Sequence, residues 1–134
     1  MPTQTIIQNA TFTLWYHPEK KIVHHQIHKF IAGPPFRELL LAGTELMKKH
    51  QATKWLSDDR SNSALKQDDL EWSETEWAPQ TAKAGWRYWA IVQPGQILGQ
   101  VAMQRLKDKY AGLGVTAQIF TDPTEAMAWL EKQP

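Results

Sequence analysis

The sequence predicts an α/β fold: a single domain built on a mixed β-sheet with helices packed on it, in the order β-β-α-β-α-β-α-β-α. Three observations carry this. Residues 11–28 alternate apolar and polar positions around a short Pro-containing turn, which is the pattern of an antiparallel hairpin. Residues 35–50 place apolar side chains at helical spacing. Beyond them, short apolar runs and helical patterns take turns to the end of the chain.

Residues 1–10 are polar and read as a loosely ordered N-terminal segment of the one domain, 1–134. Phe12, Leu14 and Tyr16 alternate with Thr11, Thr13 and Trp15, predicting a strand, and His17-Pro18-Glu19-Lys20 predicts the turn after it. The return strand, Lys21 to Ile27, puts Val23, His25 and Ile27 on one face and Ile22, His24, Gln26 and His28 on the other. Gly33-Pro34-Pro35 ends it and opens a helix to about His50, with Phe36, Leu39, Leu40, Gly43, Leu46 and Met47 inward.

A short strand, Lys54-Trp55-Leu56, then runs into the polar stretch Ser57-Asp58-Asp59-Arg60-Ser61-Asn62-Ser63. Asp68 to Ala84 predicts a second helical region, opened by Asp68 and Asp69, broken by Pro79 and stopped at Gly85. Trp86 to Val92 is almost continuously apolar, as a strand covered on both faces is. Gln96 to Tyr110 predicts a third helix, Val115 to Phe120 the last strand, and Pro123 onward the last helix with Asp122 as its cap. Because each strand after the hairpin is followed by a helix, those strands are expected to be parallel.

Composition narrows function more by exclusion than by assignment. The net charge of +1 comes from 15 basic and 14 acidic residues without a basic stripe, so no nucleic-acid partner is expected. No cysteine is present, which excludes disulfides, thiolate metal sites and cysteine nucleophiles and fits a cytoplasmic location. No apolar run approaches the ~20 residues that span a bilayer, so no membrane insertion is expected. Seven tryptophans are the compositional outlier, pointing to a Trp-rich core or an aromatic-lined pocket.

Three stretches together are similar to a known family: Leu14-Trp15-Tyr16-His17 with its hairpin, Lys54-Trp55-Leu56-Ser57-Asp58-Asp59-Arg60, and Ala84-Gly85-Trp86-Arg87-Tyr88-Trp89-Ala90. Over about Thr11 to Leu130 the chain resembles the SpoIIAA-like family of small bacterial proteins, with the STAS or anti-sigma-factor-antagonist order of elements. That resemblance implies a bacterial, cytoplasmic, regulatory or binding module. In regulatory STAS domains the loop after the third strand carries a phosphorylatable serine in an Asp-Ser-Ser/Thr-Gly context. Here Ser57, Ser61 and Ser63 are available, but the small residue and glycine that follow the serine there are missing.

The candidate binding residues are therefore Trp55, Ser57, Asp58, Asp59, Arg60, Ser61, Ser63, Trp72 and Trp86. Asp58 and Asp59 suit a binding loop, or a turn in which one carboxylate caps and the other pairs with Arg60. No nucleophile–base pair accompanies them, so no catalytic residue is assigned. His24 and His28 share a strand face about 13 Å apart, too far to hold one ion, and neither a metal nor a cofactor is assigned. Gly112-Leu113-Gly114 follows a helix instead of preceding one, and reads as a helix stop and not a phosphate loop. The leading expectation is a non-enzymatic module docking a protein partner through the loop after the third predicted strand. The alternative is a small apolar-ligand carrier or enzyme with a pocket walled by Trp55, Trp72 and Trp86, and homodimerisation through an exposed Trp face is a third.

Overall fold

The computed structural model describes residues 2–62, 65–95 and 97–134. Its six strands lie in sequence order across one sheet. β1 (Gln4–Gln8), β2 (Phe12–His17) and β3 (Ile22–Ile27) form an antiparallel meander, with Phe12 opposite Ile27 and Tyr16 opposite Val23. β4 (Lys54–Asp58), β5 (Tyr88–Val92) and β6 (Thr116–Phe120) continue the sheet in parallel from β3. The mixed sheet and its parallel half are as expected.

One strand more is present among the described residues than the sequence predicts: Gln4–Gln8, within the segment expected to be loosely ordered, form β1. β1 pairs along the edge of β2 from Gln4↔Tyr16 to Gln8↔Thr13, with the register shifting between Thr5 and Ile7. The reason is local: Thr5, Ile6 and Ile7 are β-branched strand formers. The open edge of β2 supplies the partner that their short, glutamine-flanked pattern did not reveal. The loop expected after the third strand consequently follows the fourth, and Ser57 and Asp58 belong to that strand, not to the loop.

The first helix, α1 (Pro34–His50), starts on Gly33 at φ 67° with two prolines in its opening turn. The second helical region is not broken at Pro79. α2 (Gln67–Trp72) passes into a π-helical turn, Ser73–Trp77, and then α3 (Ala78–Lys83). Pro79 lies in the first turn of α3, where a missing N–H removes none of that helix's own bonds. α4 (Ile97–Ala111) and α5 (Pro123–Glu131) complete the chain, and the Asp122 carboxylate accepts the Thr124 N–H as the predicted cap.

The helices divide unequally between the two faces. The main core lies between the sheet face carrying Leu14, Val23, Trp55 and Trp89 and the helices α1, α3 and α4, through residues such as Leu39, Met47, Ala78 and Met103. The opposite face holds a smaller cluster, in which Ala126 and Leu130 of α5 cover Ile22, Leu56, Ala90 and Val92. This layering buries β4 completely, from Lys54 to Asp58. A strand buried on both faces carries its polar end into a site that internal partners must satisfy.

Candidate functional site

β4 and the loop after it hold five of the predicted residues, Trp55, Ser57, Asp58, Asp59 and Arg60, in three separate hydrogen-bonded groups on the two faces of the sheet. Asp58 points to the α5 side of the sheet and binds the Arg60 guanidinium twice, Nε–H to Oδ1 at 2.9 Å and Nη2–H to Oδ2 at 2.8 Å. That carboxylate holds the Arg60 pKa above its ordinary value, with Asp122 adding to the effect. Asp59 is buried on the other side, its N–H bonded to the Val92 carbonyl and its carboxylate to His25 Nε2 at 2.8 Å. The expectation that one Asp pairs with Arg60 holds; the other orients a histidine.

The strand alternation sets His25 on one face with Val23 and Ile27, and its partner comes from 34 residues downstream. Its second nitrogen is also occupied. Trp55 Nε1–H donates to His25 Nδ1 at 3.0 Å. An indole N–H can only donate, so Nδ1 is the bare nitrogen and Nε2 carries the proton toward Asp59. Ser57, opposite His25 in the β3–β4 register, accepts the Trp89 Nε1–H at 2.8 Å. A serine, a histidine and an aspartate therefore adjoin, but the imidazole keeps no free lone pair with which to activate the hydroxyl.

Replacing Asp59 by alanine is expected to cost about 1–3 kcal/mol, because the buried His25 N–H would lose its acceptor. Asp59→Asn, whose amide oxygen can still accept, should cost clearly less. Urea unfolding of the two variants measures the difference; equal losses would mean that the carboxylate charge and not the hydrogen bond matters.

A cavity of about 30 Å³ lies against this network, bounded by His25, Ser57 and Asp59 on the sheet and by Leu40, Trp77 and Leu106 from the helices. It has room for about two waters. Trp55, Trp72 and Trp86 do not wall it. Trp55 and Trp86 are fully buried with ring centroids 6.1 Å apart, inside an aromatic cluster that includes Trp77, Trp89 and Tyr110. Trp72 is half-buried against Phe36, with the Arg37 guanidinium 5.1 Å from its ring. Ser57 is buried, Ser61 is exposed, and Ser63 lies outside the described residues.

What is accessible is the rim above the network. Arg60 and Ser61 are exposed in the loop after β4. After β5, α4 opens with Ile97 and Leu98, each 75% exposed, and Val101, 62% exposed. Of the apolar positions Ile97, Val101, Met103 and Leu106 that give this helix its sequence pattern, Met103 and Leu106 are buried, together with Gly99 and Tyr110, while Ile97 and Val101 are not.

A second polar group occupies the hairpin. His17 and His24 approach within 2.9 Å between Nε2 and Nδ1, and Thr3 Oγ1 lies 2.8 Å from His17 Nδ1. Burial lowers the pKa of both rings; His24 is pulled down to about 3, His17 and His25 adding to burial while Asp58 opposes it. Spacing along one strand could not show this pair, because it forms diagonally across the Trp15↔His24 register. Among the described residues, no three His, Asp or Glu side chains gather as a metal-ligand set, and no helix is long and apolar enough to cross a membrane. No family model, curated protein or solved structure matches this chain.

Proposed function

We propose that this protein is a non-enzymatic binding module that docks a protein partner on the rim formed by the loop after β4 and the start of α4. The observation that carries the reading is the contrast between the two levels of the site. Below, Ser57, Asp58, Asp59 and His25 are engaged with one another or with indole N–H groups and a guanidinium. Above, Ile97, Leu98 and Val101 stay uncovered, and clustered exposed apolar side chains favour an interface. Arg60 leaves the carboxyl end of the neighbouring strand with its side chain 47% exposed. The partner that fits presents an apolar anchor to Leu98 and a carboxylate toward Arg60. The resemblance to STAS-type regulatory modules supports the same end of the sheet.

The test compares capture from source cells by the native chain, by Arg60→Glu and by Leu98→Asp. Leu98 is exposed, so Leu98→Asp should unfold within about 0.5 kcal/mol of the native chain; Arg60→Glu strips the buried Asp58 carboxylate of its partner and lowers stability, so its capture is read once circular dichroism shows it folded. A stoichiometric partner held by the native chain and lost in both variants is the expected result. Undiminished capture by both variants would overturn the docking rim. A self-associated native chain that Leu98→Asp renders monomeric would replace the foreign partner with a second copy.

The carrier reading keeps one supporting observation, the cavity beneath α4 with a mainly apolar lining. At about 30 Å³ it admits no organic ligand as it stands. A bound molecule would require Met103, Leu106 and Tyr110 of α4 to move outward, and would appear as extra mass in the native but not the denatured protein.

A further inference from the structure

The amino ends of β5 and β6 carry chemistry that the rim does not use. Arg87 stands just before β5, and its main chain is clamped from both sides. Its N–H donates to the Thr53 carbonyl at 2.9 Å, and its carbonyl accepts the Thr116 N–H at 2.8 Å. The guanidinium is fixed as well, because Nη1 donates to the Ala82 carbonyl at 3.0 Å and to the Trp86 carbonyl at 2.9 Å. Nη1 is thereby spent, while Nε–H and the Nη2 donors meet no acceptor among the described residues. No carboxylate among those residues lies within ion-pair distance of Arg87. Nε–H and Nη2–H are the parallel pair with which an arginine grips a carboxylate, and Arg60 uses that same pair on Asp58. A guanidinium already held by two carbonyls loses little further freedom when it captures an anion.

Arg87 borders an open groove of about 430 Å³, together with Pro79, Ala82, Lys83, Leu113 and Gly114. Pro79, Ala82 and Leu113 make its walls apolar, and Leu113 is 37% exposed. Two cations and no carboxylate line it. Beyond Pro79 and Lys83 a second recess adds Lys48 and Glu76, whose charges balance, so the positive excess lies on the Arg87 side. The turn after α4 offers the groove no main-chain donor. The N–H groups of Gly112, Leu113 and Gly114 are bonded to the carbonyls of Lys109, Tyr110 and Ala111. A peptide strand would find no ladder to pair with there. What the groove can read is an apolar body with one anionic end.

We propose that this groove binds a small apolar carboxylic acid. Its carboxylate sits on the Nε–H and Nη2–H fork of Arg87 with the Lys83 ammonium beside it, and its hydrocarbon part lies along Pro79, Ala82 and Leu113. Hydrocarbon burial alone would hold the alcohol of the same chain length as well as the acid. The charge-assisted fork adds a preference for the acid. The site lies at the amino ends of β5 and β6, whereas the rim lies at the carboxyl end of β4, so this inference and the docking rim stand or fall separately.

The test titrates the full nitrogen-labelled chain with hexanoate and, separately, with hexanol, following the Arg87 Nε–H and the Leu113 and Gly114 amides by NMR. Saturable shifts at these groups, with a Kd for hexanoate about tenfold or more below that for hexanol, are the expected result. Lys83→Glu should weaken hexanoate several-fold and leave hexanol unchanged, and it keeps the Arg87 bonds to Ala82 and Trp86. Arg87→Gln should bring hexanoate to the affinity of hexanol. That variant also loses two carbonyl contacts; should it fail to fold, the native acid–alcohol comparison and Lys83→Glu decide. Equal affinities for acid and alcohol, or no saturable hexanoate shift at these groups, overturns the proposal.

Discussion

Replacing Gly43 with alanine is expected to destabilise the fold by about 1–3 kcal/mol, the reverse of the usual result. A glycine inside a helix ordinarily costs about 1 kcal/mol relative to alanine, so the change should help by local propensity alone. Here α1 passes so close to β4 that the Trp55 ring fills the space where a Cβ would stand. The added carbon would lie 2.7 Å from Cζ2, 2.8 Å from Cζ3 and nearer still to Cη2. The indole has nowhere to go. Trp55 is fully buried, the Trp77 ring crosses it edge-on at 5.3 Å, and its N–H is held by His25. Overpacking of this kind outweighs the propensity gain.

Urea unfolding of Gly43→Ala decides the matter, and equal or greater stability would show that the indole yields. Gly95→Ala is the control, because nothing lies within 4 Å of a Cβ there. Combining Gly43→Ala with Trp55→Phe should cost less than the sum of the single changes, since the smaller ring relieves the overlap while both variants touch one contact.

The same contact shows where a sequence is informative and where it is not. Gly43 is an inward position of α1 by its spacing, and Trp55 is an inward position of a short strand by its neighbours. Both follow from the helical and strand periods. That they meet is a fact of tertiary packing and no local pattern contains it. The parallel half of the sheet was legible because crossover helices leave little choice of direction. β1 was not, because its strand-forming triplet is short and draws its stability from the edge of β2. Nor was the π turn, which re-registers Ser73–Trp77 and lets the region continue through Pro79.

The candidate site divides along the same line. Asp58 and Arg60 are two residues apart, and their pairing was readable as turn chemistry. His25 and Asp59 are far apart in sequence; the available signal was a histidine on an otherwise apolar strand face, which requires a buried partner without saying which. Trp72 and Trp86 were grouped with Trp55 by residue type, whereas the end of α2 places Trp72 near the surface and the connection from α3 to β5 places Trp86 in the core.

Stability is expected to fall as the pH drops from about 6.5 toward 3, and the His17–His24 pair is the reason. His24 in the folded chain has its pKa lowered to about 3, from an ordinary value of 6.5. Below 6.5 the unfolded imidazole takes up a proton that the folded one refuses, so lowering the pH favours the unfolded chain. The stabilisation is complete above 6.5 and is lost through that window at up to about 1.4 kcal/mol per pH unit. Across it the loss is on the order of 4 kcal/mol, a large part of the 5–15 kcal/mol that typically holds a domain together. His17 is shifted in the same direction and adds to the loss. Carboxylates lose charge mainly below pH 5, so the decline between 6.5 and 5 isolates the imidazoles.

Geometry gives the shift a second footing beside burial. The two rings bond at 2.9 Å only while one of the facing nitrogens is bare. A proton on each would set two N–H groups head to head beside Trp15, whose ring centroid is 4.6 Å from that of His24. His24→Gln keeps a hydrogen-bonding group and removes the titration. It should therefore be less stable than the native chain at pH 7.5 or equal to it, yet decline less steeply from 6.5 to 5. Urea unfolding at several pH values reads the two slopes. Parallel slopes would mean that His24 titrates as freely in the folded chain as in the unfolded one, and would remove the pair from the account of stability.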